Sequence, residues 1–263
     1  MISLHYIAFP SLHAEPLTIA ARLRVPQDGR AQHPAVILLH GSAGPSGREG
    51  GYADALNAAG CVTLEPDLWA ARHFKGGAEG RPRPADALAD LYGARAFLTA
   101  HPAVDPARIG VAGFSFGGVV CMFAATRARN DAFLPGGHFA AFLPVYPATW
   151  AYNRVPGFEF GELVDAPMLL ITGARDQYDN DPDISAKLVA GLAPADRARI
   201  ALEVLPDSHH GFDMPGADLE VNDPFGNQGK GGTVIMRYNP ETARQAHRLA
   251  VDFFASTLGD IAT

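Results

Sequence analysis

Cysteine is nearly absent from this chain. Cys61 and Cys121 are the only two among 263 residues, and both sit in apolar runs. They read as two buried free thiols, because neither a disulfide framework nor a zinc site is spelled by their spacing. No His-Glu-x-x-His helix occurs, so no metal is expected. Lys and Arg form no cluster, and the formal net charge is −7. That argues against nucleic acid or an anionic membrane surface as a main partner. No apolar stretch is long enough to span a bilayer. The opening residues Met1-Ile2-Ser3-Leu4-His5-Tyr6 carry no basic segment followed by a long apolar one. Neither a membrane span nor a signal peptide is expected, and the expected location is cytoplasmic. No internal repeat is visible.

What is present is apolar residue in quantity: 48%, against 19% charged. This supports a sizeable core, and the length suits one large α/β domain covering residues 1–263. Strand-like runs fall at 2–9, 17–25, 35–39, 61–65, 109–114, 139–143, 168–172 and 201–205. Helical segments are expected at 52–59, 85–99, 116–127, 184–190 and 241–258, the last opened by Asn239-Pro240 as cap and first-turn proline. The first two runs have no helix between them and suggest an antiparallel pair. The later ones are short and continuously apolar, as strands covered on both faces are. The alternation predicts an α/β fold: a doubly wound, mostly parallel eight-stranded sheet with helices on both faces. Residues 68–84, 146–165 and 213–238 read as loop excursions. Each follows an expected strand, which puts it at the sheet's C-terminal edge, where such folds bind ligands.

The most informative segment is Gly113-Phe114-Ser115-Phe116-Gly117, a G-x-S-x-G turn between an expected strand and an expected helix. A serine hydroxyl is a poor nucleophile on an ordinary surface. A sharp turn lifts it clear of the sheet, flanking glycines leave room for the backbone, and the helix start offers N–H groups to an oxyanion. A base and an orienting acid are needed beside it. Asp176 follows one expected strand in Gly173-Ala174-Arg175-Asp176, and His210 follows the next in Asp207-Ser208-His209-His210-Gly211-Phe212. Asp179, Asp181 and Asp183 compete with Asp176 and read as loop or cap residues. His209 competes with His210, which the following Gly-Phe favours. The small residues of His40-Gly41-Ser42-Ala43-Gly44 allow close approach to a carbonyl. The oxyanion hole is therefore expected from the N–H groups of Phe116 and Ser42, with His40 a structural partner in its turn. Trp69, Tyr146, Trp150, Tyr178 and Phe212 are candidates to line a substrate pocket. Arg72, Arg81 and Arg83 read as solvated loop arginines. The glycine-rich stretch 226–233 lacks the spacing of a phosphate loop.

These motifs together resemble the dienelactone hydrolase family of α/β-hydrolases. The resemblance is carried by Asp105-Pro106-Ala107-Arg108-Ile109-Gly110-Val111 leading into Gly113-Phe114-Ser115-Phe116-Gly117-Gly118, by Pro66-Asp67-Leu68-Trp69, by Gly173-x-x-Asp176 and by His210-Gly211-Phe212. It covers roughly residues 35–258 and implies an α/β-hydrolase fold, with Ser115, Asp176 and His210 as nucleophile, acid and base. Two departures stand out. The namesakes use cysteine where this chain has Ser115, and they carry an acidic residue in the turn that here reads His40-Gly41-Ser42-Ala43-Gly44. A serine carboxylesterase branch fits better than the namesake lactone. The expected function is hydrolysis of carboxylic esters or lactones through an acyl-enzyme, with a small-molecule ester or lactone as substrate and no metal or organic cofactor. The chain is expected as a monomer or homodimer. A thioesterase, a serine peptidase and a non-catalytic binding protein on the same fold remain alternatives. The last of these predicts no labelling of Ser115 by a serine-directed phosphonate.

Overall fold

A computed structural model describes residues 1–77, 80–259 and 261. Eight strands, β1 (Ile2–Pro10), β2 (Thr18–Pro26), β3 (His33–Leu39), β4 (Val62–Pro66), β5 (Val104–Phe114), β6 (Ala141–Val145), β7 (Met168–Gly173) and β8 (Ile200–Leu205), form one sheet in the order β1-β2-β4-β3-β5-β6-β7-β8. β1 pairs with β2, and β2 with β4, antiparallel. Every other pairing is parallel. The sheet is the doubly wound, mostly parallel one that the alternation predicts.

Its two faces carry separate cores, and the strands supply both by their period of two. On β3, Ala35, Ile37 and Leu39 face one core while Val36 and Leu38 face the other. The first core is closed by helices α2 (Leu88–Thr99) and α3 (Phe116–Ala124), through Leu91, Leu98, Val120 and Phe123. The second is closed by α1 (Gly47–Ala58) and the C-terminal helix, through Tyr52, Leu56, Phe254 and Leu258. Between these lie the short α4 (Arg127–Asp131), α5 (Ile184–Ala190), α6 (Pro194–Arg197) and α7 (Gly226–Gly229), before the long α8 (Pro240–Leu258). Asn239 caps α8 by accepting from the N–H groups of Glu241 and Thr242, and Ala243, Ala246, Ala250, Phe254 and Leu258 form its buried stripe. Cys61 and Cys121 are free and buried. Burial pushes the Cys61 thiol up to about 12, so neither its thiolate nor its access favours reaction.

Several segments differ from the sequence expectation, among them β5, which starts at Val104 rather than 109. Helix α1 starts at Gly47 rather than 52, because Ser46 and Glu49 form a reciprocal capping box that outweighs three glycines in the first turns. Helix α2 starts at Leu88, after residues 85–87 make a turn. The helix expected over 116–127 breaks at Thr126, which is extended (φ −80°, ψ 132°) and bridges to Leu163. The 213–238 excursion is not all loop. Strands β9 (Asp218–Asn222) and β10 (Thr233–Arg237) pair antiparallel within it. Among the described residues no helix is long and apolar enough to cross a membrane.

Candidate active site

Ser115 stands between the end of β5 and the start of α3 with φ 51° and ψ −111°. That conformation is sparsely populated for a side-chain-bearing residue and stores strain of about 1–3 kcal/mol. The flanking glycines explain how the chain tolerates it. A Cβ on Gly113 would lie 2.0 Å from the carbonyl oxygen of Gly117, and one on Gly117 would lie 2.2 Å from that of Leu39. Only hydrogen fits at either place. The serine N–H donates to the Val145 carbonyl at 3.0 Å, and the Ser115 carbonyl accepts from Val119 N–H at 2.9 Å. The turn is thereby tied to β6 and to the first turn of α3.

The loops that carry Asp176 and His210 leave β7 and β8, the two strands at that edge of the sheet. Asp176 is buried, and so is His210. His210 Nδ1–H donates to Asp176 Oδ2 at 2.7 Å, and Ser115 Oγ–H donates to His210 Nε2 at 2.9 Å. Asp176 Oδ1 accepts from Tyr178 N–H at 2.8 Å, which leaves its other oxygen for the imidazole. The rings of Tyr178 and Tyr146 pack on His210 with centroids at 4.3 and 4.7 Å. The His210 loop is held from outside by β10. Arg237 N–H donates to the His210 carbonyl at 3.2 Å. Arg175 N–H reaches the Ser208 carbonyl at 3.0 Å and joins the two loops directly. His209 is half-buried and its Nδ1 has no hydrogen-bond partner; the neighbouring His210 makes the contact with Ser115.

The turn after β3 presses on the same place, as the Gly117–Leu39 approach shows. His40 is buried, and burial pushes its pKa down. Its Nδ1–H donates to the Gly41 carbonyl at 2.7 Å while its Nε2 accepts from Leu68 N–H at 3.0 Å. A neutral imidazole therefore joins this turn to the one after β4. The Gly41 carbonyl also accepts from Gly44 N–H at 3.0 Å. In a trans peptide this turns the N–H of Ser42 the opposite way. Phe116 opens α3, so its N–H is one of the unpaired donors of a helix start.

A cavity of about 460 Å³ adjoins Ser115. Phe116, Val119, Phe123, Trp150, Phe158 and Phe225 give it an apolar wall. Its walls come from α3 and from all three excursions, as their position at the strand ends requires. Of the five aromatics expected there, Trp150 and Tyr178 line it. Trp69 lies outside its walls, packed on Phe116 at 4.8 Å and on His40 at 5.0 Å. Tyr146 and Phe212 are buried behind His210, with ring centroids 5.1 Å apart. Among the loop arginines, Arg72 pairs with Asp90 at 2.7 Å and Arg83 with Asp86 at 2.8 Å. Arg72, with 14% of its side chain exposed, is not solvated as expected, and neither is Arg81, which lines the cavity beside the exposed Arg83 with its guanidinium 4.5 Å from the Phe225 ring centre. The 226–233 stretch braces the Asp176 loop: Asn227 N–H donates to the Gln177 carbonyl at 2.8 Å and Gln228 N–H to that of Tyr178 at 3.0 Å. Among the described residues no group of three or more His, Cys, Asp or Glu could hold a metal ion.

Asp179 is a second buried carboxyl close to Asp176. Burial, and then the charge of Asp176, push it from 3.8 up to about 7, against hydrogen bonds from Trp150 and Thr149 that pull it down. A carboxyl raised on folding stabilises most below its unfolded value, and that contribution is lost as pH rises through the folded one. Asp179→Asn keeps an acceptor for Trp150 N–H, 2.8 Å away, and removes the buried charge. Its urea midpoint is expected to match the wild type near pH 4 and to exceed it at pH 8, by a few kcal/mol at most. A midpoint at pH 8 no higher than the wild type's would contradict this.

A mostly parallel sheet with a leading antiparallel pair, a strand–serine–helix elbow, and Asp176 and His210 on the loops after β7 and β8 define an α/β-hydrolase. The chain belongs to the dienelactone hydrolase family, whose model matches residues 19–258. No curated protein matches the sequence. Among solved structures it is similar to a dienelactone hydrolase-like promiscuous phosphotriesterase from metagenomic libraries, with TM-score 0.70, 15% identity and coverage of 98% of this chain and 99% of that one. It is similar also to Thermogutta terrifontis esterase 2 phosphorylated by paraoxon, with TM-score 0.68, 16% identity and coverage of 98% and 96%. A third is the putative dienelactone hydrolase of Klebsiella pneumoniae, with TM-score 0.64, 18% identity and coverage of 97% and 99%. At such identities the likeness is one of fold.

Proposed function

We propose that this hydrolase cleaves carboxylic esters or lactones through an acyl-enzyme on Ser115. The observation that carries the reading is the unbroken hydrogen-bond chain from Asp176 through His210 to Ser115, ending beside an apolar cavity. His210 Nε2 takes the Ser115 proton as Oγ bonds to the substrate carbonyl carbon. The N–H groups of Phe116 and Ser42 hold the negative oxygen of the tetrahedral intermediate. The C–O bond to the leaving alcohol breaks as the imidazolium returns its proton to that oxygen. Water then gives a proton to His210, attacks the acyl carbon, and releases the acid with Ser115 restored. The apolar wall suits the hydrocarbon part of an acyl or alkoxy group.

Two probes test this. A chain-length series of p-nitrophenyl esters reads turnover, and the preferred length sizes the cavity. Paraoxon, the reagent found on the Thermogutta esterase, reads nucleophilicity without needing the natural substrate, by intact mass and peptide mapping. The reading expects ester turnover and one phosphoryl group, on Ser115. A native protein that releases no p-nitrophenol and takes up no phosphoryl group is a binding protein on a hydrolase fold. Labelling without ester turnover leaves a thioester or other acyl specialist in place of the general esterase.

A further inference from the structure

Beneath the elbow lies a polar cluster that the mechanism above does not use. Arg48, Glu49, Tyr52, Tyr146 and Asp213 are each at most 3% exposed. Arg48 donates through Nε and Nη2 to Glu49 Oε1 at 2.9 and 2.7 Å, and through Nη1 to the Tyr146 hydroxyl at 3.3 Å. The Tyr146 hydroxyl donates to Asp213 Oδ1, and the Tyr52 hydroxyl donates to Asp213 Oδ2 at 2.7 Å. Glu49 Oε2 accepts from Ser46 N–H at 2.7 Å and from its hydroxyl at 2.9 Å. Both Asp213 oxygens receive a donor, which is how an ionised carboxylate is satisfied.

Stability gives little reason for this arrangement. Three buried charged groups cost desolvation, and apolar side chains of the same volume are often at least as stable. What the cluster does have is one contact on each segment of the site. Asp213 is three residues beyond His210 on the same loop. Tyr146 packs its ring on His210, and it directly follows Val145, whose carbonyl holds Ser115 N–H. The Arg48 guanidinium lies over the ring of Phe114, the residue before Ser115, at 4.9 Å. Its Nη2 is also 3.0 Å from where a Cβ on Gly41 would stand, in the turn expected to supply the oxyanion hole.

We propose that Tyr146 and Asp213 are positioning residues, whose hydrogen bond to each other, braced by Arg48 and Tyr52, fixes the His210 imidazole between Ser115 and Asp176. The proposal rests on the reading of His210 as the base. Without that bond the Tyr146 ring is held only by packing, and the imidazole resting on it, hinged on its bond to Asp176, would sample orientations in which Nε2 misses Oγ. Such a loss lowers the rate of the chemical step and leaves substrate binding alone, since neither residue lines the cavity.

The test uses Tyr146→Phe, which keeps the ring and deletes the hydroxyl, and Asp213→Asn, which keeps the shape and deletes the charge. Steady-state kinetics on the best p-nitrophenyl ester, paraoxon labelling rates and thermal midpoints are read on wild type and variants alike. Each variant is expected to lower kcat and the labelling rate about tenfold with KM unchanged, at temperatures well below its own midpoint. A folded variant pair with wild-type kcat, or with the whole effect in KM, overturns the proposal. Should the wild type neither turn over nor label, the base reading itself fails and takes this proposal with it, an outcome that the variants play no part in.

Discussion

Ser115→Ala is expected to lower kcat by about 10⁶-fold, and His210→Ala by nearly as much, with the double variant no worse than either single one. The reason is that the two act as one unit. Ser115 Oγ bears its proton 2.9 Å from His210 Nε2, so without the imidazole the hydroxyl has no acceptor of suitable basicity, and without the hydroxyl the imidazole has nothing to activate. What the proposed scheme leaves in each variant is the expected oxyanion hole and the orientation given by the cavity, worth about 10³–10⁴ over the reaction in water. Steady-state p-nitrophenol release across the three variants measures this. Multiplying effects in the double variant would mean that serine and histidine serve separate steps, which the acyl-enzyme scheme does not allow. Ser115→Ala should not loosen the fold, because the strain at φ 51° belongs to the backbone and alanine inherits it.

The sequence shows most of the sheet because its inner strands are covered on both sides. Residues 35–39 of β3, every one buried, are all apolar, and a continuous apolar run is hard to miss. Where a segment is half exposed, the pattern fades. β9 and β10 bury Val234 alone, so their alternation drowns among Gly, Asp and Asn. The break at Thr126 has no local sign, since Ala125-Thr126-Arg127 contains neither Gly nor Pro. It is imposed by Leu163, a partner distant in sequence. The start of α1 was legible in Ser46 and Glu49, three residues apart, but three glycines hide it from a search for apolar period.

The site divides in the same way. Ser115, Asp176 and His210 could be placed because each sits at a strand end, where topology dictates which loops meet. The cavity wall could not, because which aromatic points into a space depends on packing. Tyr146 and Phe212 turn into the second core, whereas Arg81, flagged only as a loop arginine, lies along the cavity. The buried cluster was beyond reach altogether. Tyr52 and Asp213 are 161 positions apart, and nothing periodic links them.

Asp176→Asn is expected to cost about 10⁴ in kcat while the structure stays intact, and the geometry says why. Asp176 Oδ1 accepts from Tyr178 N–H at 2.8 Å and Oδ2 faces His210 Nδ1 at 2.7 Å. An asparagine there has one oxygen and one NH₂. The backbone N–H of Tyr178 can only donate, so it claims the oxygen and turns the NH₂ toward His210. Nδ1 then becomes an acceptor and the ring proton moves to Nε2, where it points at Ser115 Oγ. The base is present, in place, and in the wrong tautomer. Asp179→Asn is the matched control. Asp179 accepts from Trp150 N–H rather than from the imidazole, and its charge is already half lost near pH 7, so its removal should leave kcat within about twofold. Full activity in Asp176→Asn, or the loss appearing in Asp179→Asn instead, would move the orienting acid three residues along the loop.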